Sequence, residues 1–338
     1  MQQTQRTILW VVFSVSLLLL WDNWQSHNGK PSMFGPQRVA TKTADQAPAG
    51  ASAPARAPGN TDASIPTAPS VSASAPSAAP PATAGKTPAV PPAVETLKLR
   101  NDVLVVDIDP TGAQVVRAEL LKHKAFSGDN ETNSRNLVLL HQLPGKVYIA
   151  QSGLIGAPQG ASYPNHRSRF SVLEGPGQDG AGSIRLRLSA QDGGLTLVRS
   201  YSLKPGSYVL QVSDEIINEG QTAANPTLYM QLTRDGKNPP GDSKFYSTFT
   251  GPVIYTEEKK FQKVDFSDIE KGKADHSKAA SDGWVGIIQH YFLSAWLPTD
   301  KASREYFTRK IDANLYAAGA LQPLGEIAPK AGKTVQTR

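Results

Sequence analysis

The sequence predicts a mainly β protein, a large antiparallel β-sandwich carried behind a single N-terminal transmembrane helix and a disordered linker. Three observations predict it. After Glu95 the chain becomes a succession of short runs rich in Val, Ile, Leu, Thr and Tyr, separated by Gly, Pro, Asn and Asp. Before that point, residues 46–94 are built almost wholly from Ala, Pro, Ser, Thr and Gly and hold no aromatic side chain. Near the start, Ile8 to Trp21 is apolar apart from Ser14 and Ser16.

Taken in order, residues 1–6 form a short tail and residues 7–24 the anchor. The uninterrupted apolar stretch is shorter than the roughly twenty residues that span hydrocarbon, a length that suits a cleaved signal peptide. Yet the segment that follows, WDNWQSHNGKPSMFGPQ, offers no small-x-small cleavage site. Trp10 at one end, Leu17, Leu18, Leu19 and Leu20 in the middle, and Trp21 and Trp24 at the other end resemble an apolar span with interfacial aromatic belts. The stretch therefore reads as a retained anchor, with a cleaved signal as the alternative. Arg6 and the terminal amine favour a cytoplasmic N-terminus, which places residues 25–338 across the membrane.

Residues 25–94 read as a flexible linker, because such a composition cannot bury enough apolar surface to offset the entropy of ordering it. Residues 95–338 then supply one sizeable core. DVLVVDID from Asp102 alternates apolar and polar residues and ends at the turn PTG. SIRLRLSA from Ser183 places Ile184, Leu186 and Leu188 on one face and Arg185 and Arg187 on the other. QDGG turns into LTLVRSYSL, and KPGS turns into YVLQVSDEIIN, giving a meander of antiparallel strands. PTLYMQLT, PVIYT, EYFTRKI and LYAAGALQPL continue it. DGWVGIIQHYFLSAWLP, 282–298, fits one helical face or two strands broken near Gln289 and His290, and its β-rich surroundings favour the strands. Its aromatics read as core, with an exposed apolar binding patch as the alternative.

Chemistry is sparsely signalled. The net charge of +6 is spread evenly: residues 1–94 hold six Lys or Arg and three Asp, leaving 29 basic and 26 acidic residues in the remainder. No basic run with interleaved aromatics marks a nucleic-acid surface. The absence of Cys excludes disulfides, thiolate metal sites and a cysteine nucleophile. The six histidines, at 27, 123, 141, 166, 276 and 290, show no metal-ligand spacing. There is no GxSxG elbow, and the glycines of QSGLIG at 151–156 read as shaping a turn. GPGQDGAG from Gly175 reads as a loop, and the mixed charges of residues 256–275 as a solvated surface segment.

YIAQSGLIG (148–156), FTGPVIYTEEKKFQKVDF (249–266) and DGWVGIIQHYFLSAWLP, in that order behind an anchor and a low-complexity linker, resemble the N-terminal part of the Gram-negative membrane protein insertase YidC family. The resemblance implies a periplasmic β-supersandwich domain of mutarotase-like fold, in the cell inner membrane behind an uncleaved anchor. It implies insertion and folding of inner-membrane proteins with or without the Sec translocon. The expected partners are thus nascent inner-membrane proteins, Sec translocon components and the lipid bilayer, with no nucleic acid, no cofactor and no enzymatic step. The motif positions Gln151, Ser152, Gly153, Gly283, Trp284, Tyr291, Phe292 and Trp296 come with no assigned role. The five-helix insertase core lies outside these 338 residues, so the domain is expected to be truncated and to leave an open sheet edge. A membrane-tethered carbohydrate-binding or sugar-epimerising sandwich is the rival reading, and a ligand-free spacer the third.

Overall fold

The computed structural model describes residues 65–66, 95–125, 135–239 and 248–338. The anchor residues Trp10, Leu17 to Leu20, Trp21 and Trp24, and all of the linker except Ile65 and Pro66, lie outside the described residues. No helix among the described residues is long and apolar enough to cross a membrane.

Eighteen strands are described: β1 (Leu97–Arg100), β2 (Leu104–Asp109), β3 (Gln114–Lys124), β4 (Asn136–Leu143), β5 (Lys146–Ile155) and β6 (Ser171–Gln178) come first. They are followed by β7 (Ile184–Asp192), β8 (Leu195–Leu203), β9 (Leu210–Asn218), β10 (Thr227–Asp235), β11 (Thr250–Thr256) and β12 (Lys260–Lys263). A single helical turn, α1 (Phe266–Glu270), precedes β13 (Ala279–Ala280), β14 (Trp284–Gln289), β15 (Phe292–Trp296), β16 (Arg304–Asp312), β17 (Leu315–Pro323) and β18 (Gly332–Thr337). The predicted meander is β7, β8 and β9, and its alternation holds: Leu186 and Leu188 are buried, whereas Arg185 and Arg187 are exposed. The Gly193–Gly194 turn between β7 and β8 has positive φ at both residues, which glycine adopts without steric cost. Residues 282–298 form the antiparallel hairpin β14–β15, turning at His290 and Tyr291.

The strands make three sheets rather than a simple two-layer sandwich. Nine strands run in the order β1-β2-β3-β4-β5-β10-β17-β16-β13, four in the order β12-β11-β14-β15, and five in the order β18-β9-β8-β7-β6. The main core takes alternate residues of β10 (Leu228, Met230, Leu232) together with Leu186, Leu197 and Ile216 of the five-stranded sheet and Ile254, Val285, Ile287 and Trp296 of the four-stranded one. Both smaller sheets therefore bury against the same face of the large sheet. On its opposite face a second apolar cluster gathers Ile155, Tyr229, Phe307, Ala317 and Leu321 around Ile65.

Two expectations change. QSGLIG is the central, fully paired part of β5 rather than a turn: Gln151 faces Gln231 and Gly153 faces Tyr229 across the ladder to β10. Glycine is needed at 153 for close approach, because a Cβ there would meet Asn165 Cα at 2.5 Å and the Tyr229 hydroxyl at 2.8 Å. GPGQDGAG is half strand, since β6 continues through Gln178 along the edge of its sheet. β18 is an edge strand of the five-stranded sheet, and just past its end Leu297 and Arg338 exchange backbone hydrogen bonds of 2.8 and 3.0 Å. The segment 256–275 stays largely at the surface, pinned by buried Val264 and Ile269.

An ion pair ties the five-stranded sheet to the large one. Arg199 on β8 and Asp214 directly opposite on β9 form a two-pronged pair, Nε to Oδ1 at 2.6 Å and Nη2 to Oδ2 at 3.1 Å, with Arg199 fully buried. Arg199 Nη1 donates to the carbonyls of Gly112 and Ser152. Burial opposes the guanidinium charge, but Asp214 more than offsets it and holds the arginine pKa above its ordinary value.

Candidate functional site

The sequence motifs resolve into two arrangements, one buried and one exposed. The buried one is a polar ladder across the large sheet on the face away from the main core. Gln151 Nε2 donates to Gln114 Oε1 (2.8 Å), while Gln151 Oε1 accepts from Gln231 Nε2 (2.9 Å) and Thr233 Oγ1 (2.8 Å). Gly319 lies opposite Gln231 on the next strand and carries no side chain. Across it, Arg309 Nη2 on β16 reaches Gln231 Oε1 at 3.4 Å, and Arg309 Nη1 donates to the Ile65 carbonyl at 3.5 Å. Four strands thus contribute one continuous set of side-chain hydrogen bonds, as buried amides require. Sequence reasoning singled out Gln151 but missed Gln114, Gln231, Thr233 and Arg309. No local signal links residues that far apart along the chain.

Ser152 and Gly153 serve packing: the Ser152 carbonyl accepts from Arg199, and Gly153 admits Asn165 and Tyr229. The Tyr229 hydroxyl accepts from the backbone N–H of His166 at 3.0 Å and lies 2.5 Å from His166 Nδ1. Burial, reinforced by Arg167, pushes His166 down to about 4.

The exposed arrangement is the outer face of the four-stranded sheet. Phe261 on β12, Tyr255 on β11 and Trp284 on β14 occupy directly opposed positions, so three aromatic rings form a row across three strands. Tyr255 and Trp284 stack with centroids 5.8 Å apart and planes at 10°, and Phe261 tilts against Trp284 at 6.1 Å. Phe261 and, further along the same face, Leu293 are each 45% exposed. Gly283, at φ 88°, sets the entry into β14, where a Cβ would run into the Tyr255 carbonyl. Trp296 points the other way: it is buried and its Nε1 donates to the Gln231 carbonyl at 3.0 Å. Phe292 is half-buried, edge-on to His123, whereas Tyr291 at the hairpin tip is 90% exposed.

Beside that tip opens a cleft of roughly 1010 Å³, lined among others by Arg117, Glu119, His141, Lys146, His290 and Tyr291. Two of its titrating groups are shifted from their ordinary values. Glu119 accepts from Asn136 at 2.9 Å and from Arg117 at 2.6 Å, and these partners hold its pKa below the ordinary carboxylate value. Burial, with help from Lys146, lowers His141 to about 4 and keeps it neutral. Among the described residues no group of three or more His, Cys, Asp or Glu could hold a metal ion.

Three antiparallel sheets on a shared core, a buried polar ladder and an apolar outer row define a large β-sandwich domain. The chain belongs to the YidC periplasmic domain family, whose model matches residues 96–338. Curated relatives named membrane protein insertase YidC include one from Bordetella petrii, 43% identical over 336 residues, covering 99% of this chain and 57% of the relative. Another, from Janthinobacterium sp. (strain Marseille), is 40% identical over 334 residues, covering 98% and 56%. The chain thus spans just over half the length of these relatives. Among solved structures, a galactose mutarotase related enzyme from Lactobacillus acidophilus aligns with a TM-score of 0.46 at 10% identity, covering 72% of this chain and 96% of that one. A galactose mutarotase-like protein from Clostridium acetobutylicum gives 0.43 at 8% identity, covering 71% and 93%. Likeness of that order carries no argument about activity.

Proposed function

We propose that this chain is the membrane-held periplasmic part of an insertase that helps inner-membrane proteins insert and fold, alone or beside the Sec translocon. In this reading residues 7–24 stay in the inner membrane with the N-terminus in the cytoplasm, residues 25–94 form the tether, and residues 95–338 are the folded domain. The domain performs no covalent chemistry; it binds. The observation that carries the reading is the opposed row Phe261, Tyr255 and Trp284 on the outer face of the four-stranded sheet. Aromatic surface of this kind, continued by Leu293 and ending at Tyr291, suits transient contact with an apolar polypeptide segment or a translocon subunit.

The test is site-specific photo-crosslinking in cells, with the probe placed in turn at Phe261, Trp284, Tyr291 and, as a control on the polar outer face of the five-stranded sheet, Arg187. Adducts with nascent membrane proteins or Sec subunits from the first three positions only would support the reading. Equal yields from Arg187, or none from any position, would sink it. Tight binding of a periplasmic glycan lost on Trp284→Ala would favour the carbohydrate-binding alternative instead.

A further inference from the structure

Ile65 comes from a stretch whose composition predicts no stable contacts, yet only 2% of its surface is exposed. It sits in the second apolar cluster, against Ile155, Tyr229, Phe307, Ala317 and Leu321. The pocket has a physical origin in the sheet. On this face β17 presents the small Ala317 and Gly319; the Phe307 ring of β16 lies over Gly319, and the shallow place left at Ala317, between the side chains of β10 and β16, is where Ile65 packs. At its rim, the Arg309 guanidinium lies over the Phe307 ring at 5.6 Å, is linked to Gln231 at 3.4 Å, and donates to the Ile65 carbonyl. The polar ladder therefore ends on a main-chain acceptor of the linker.

We propose that this depression is a binding site for an aliphatic residue placed just before a proline, and that its resident occupant is the chain's own Ile65–Pro66. The site reads three features. A side chain of isoleucine size fills the pocket, and the preceding strand chemistry supplies one donor for one carbonyl. Pro66 does the rest: the backbone of a residue before proline is restricted, so Ile65 has less freedom to lose on docking than it would elsewhere. Docking in cis also needs little intrinsic affinity, since a tethered end is presented at an effective concentration on the order of millimolar. The linker thereby gains one fixed point, at Ile65–Pro66.

The chain has no Cys, so two can be introduced cleanly, Thr67→Cys beside the motif and Ser303→Cys just before β16. Spin labels at both, in the full chain in lipid nanodiscs, report their separation by double electron–electron resonance. The expected result is one narrow distance population, which becomes at least about two-fold broader on Ile65→Asp. A free peptide of residues 62–70 (DASIPTAPS), added at roughly ten millimolar, should broaden the parent distribution by displacement, while the same peptide with Asp for Ile should not. Unchanged thermal unfolding of the Ile65→Asp chain would show that the domain itself remains folded. A broad distribution in the parent chain, or an equally narrow one in Ile65→Asp, would overturn the proposal. Arg309→Gln is a second probe: broadening without loss of fold supports the carbonyl contact, and no change refutes it.

Discussion

The five-stranded and four-stranded sheets share one core but differ in what they turn outward. Across the first, Arg187, Ser200, Ser213 and Gln336 stand in register, a polar row that water solvates well. Across the second, the equivalent row is Phe261, Tyr255 and Trp284. Inward the contrast reverses: the five-stranded sheet buries the Arg199–Asp214 pair, whereas the four-stranded sheet sends in Ile254, Val285, Ile287 and Trp296. Similar architecture therefore spends its polar groups in opposite places, one sheet on holding the fold and the other on leaving a surface to be covered.

The contrast is most easily broken from inside. Replacing Arg199 by Met strands the Asp214 carboxylate and should cost about 3–5 kcal/mol in urea unfolding, with much of that recovered when Asp214→Leu is added. A loss under about 1 kcal/mol would remove the pair from the account of stability. The ladder comes next: Gln151→Leu leaves the Gln231 amide and the Thr233 hydroxyl without their acceptor, for about 2–3 kcal/mol. Its measurement by the same titration would expose any slack in the network.

Acid should act on the large sheet that both smaller sheets share. His141 and His166 have folded pKa values of about 4, against roughly 6.5 in an unfolded chain. Between those values the unfolded state binds the extra protons, so stability falls as pH drops from 6.5 towards 4 and then levels off. His166→Phe should flatten that slope in melting temperatures recorded from pH 7 to pH 4; an unchanged slope would assign it to other groups. The smallest expected effects sharpen the comparison. Trp284→Ser should cost under about 1 kcal/mol and Arg187→Ser under about 0.5, both being outward-facing. Only the first should abolish photo-crosslinking from Tyr291.

The meander β7–β8–β9 was legible because each strand has one wet face, so apolar and polar residues alternate and glycines mark the turn. The hairpin at 284–296 was legible from its neighbours more than from its own period. β5 was misread because Gly153 and Gly156 look like turn formers, and only the approach of Asn165 and Tyr229 shows why a strand needs the first of them. β10 is buried along nearly its whole length, which erases alternation. The ladder was illegible for a different reason: Gln151 and Gln231 are 80 positions apart, and Arg309 a further 78, so only the sheet order brings them together. The aromatic row was visible in composition but not as a row, since register alone decides that three rings stand abreast.

The sheet order also sets a timetable. β10 lies at the centre of the large sheet with β5 on one side and β17 on the other, and β9 finds its outer partner only in β18. As the chain is made from its N-terminus, β10 has a neighbour waiting on one edge but must hold the other open until residues 315–323 have emerged. Pairings of such long range are slow to form, and an apolar strand with an unpaired edge is a template for wrong partners. The vulnerable interval in the folding of this domain therefore lies between the appearance of β10 and that of β17.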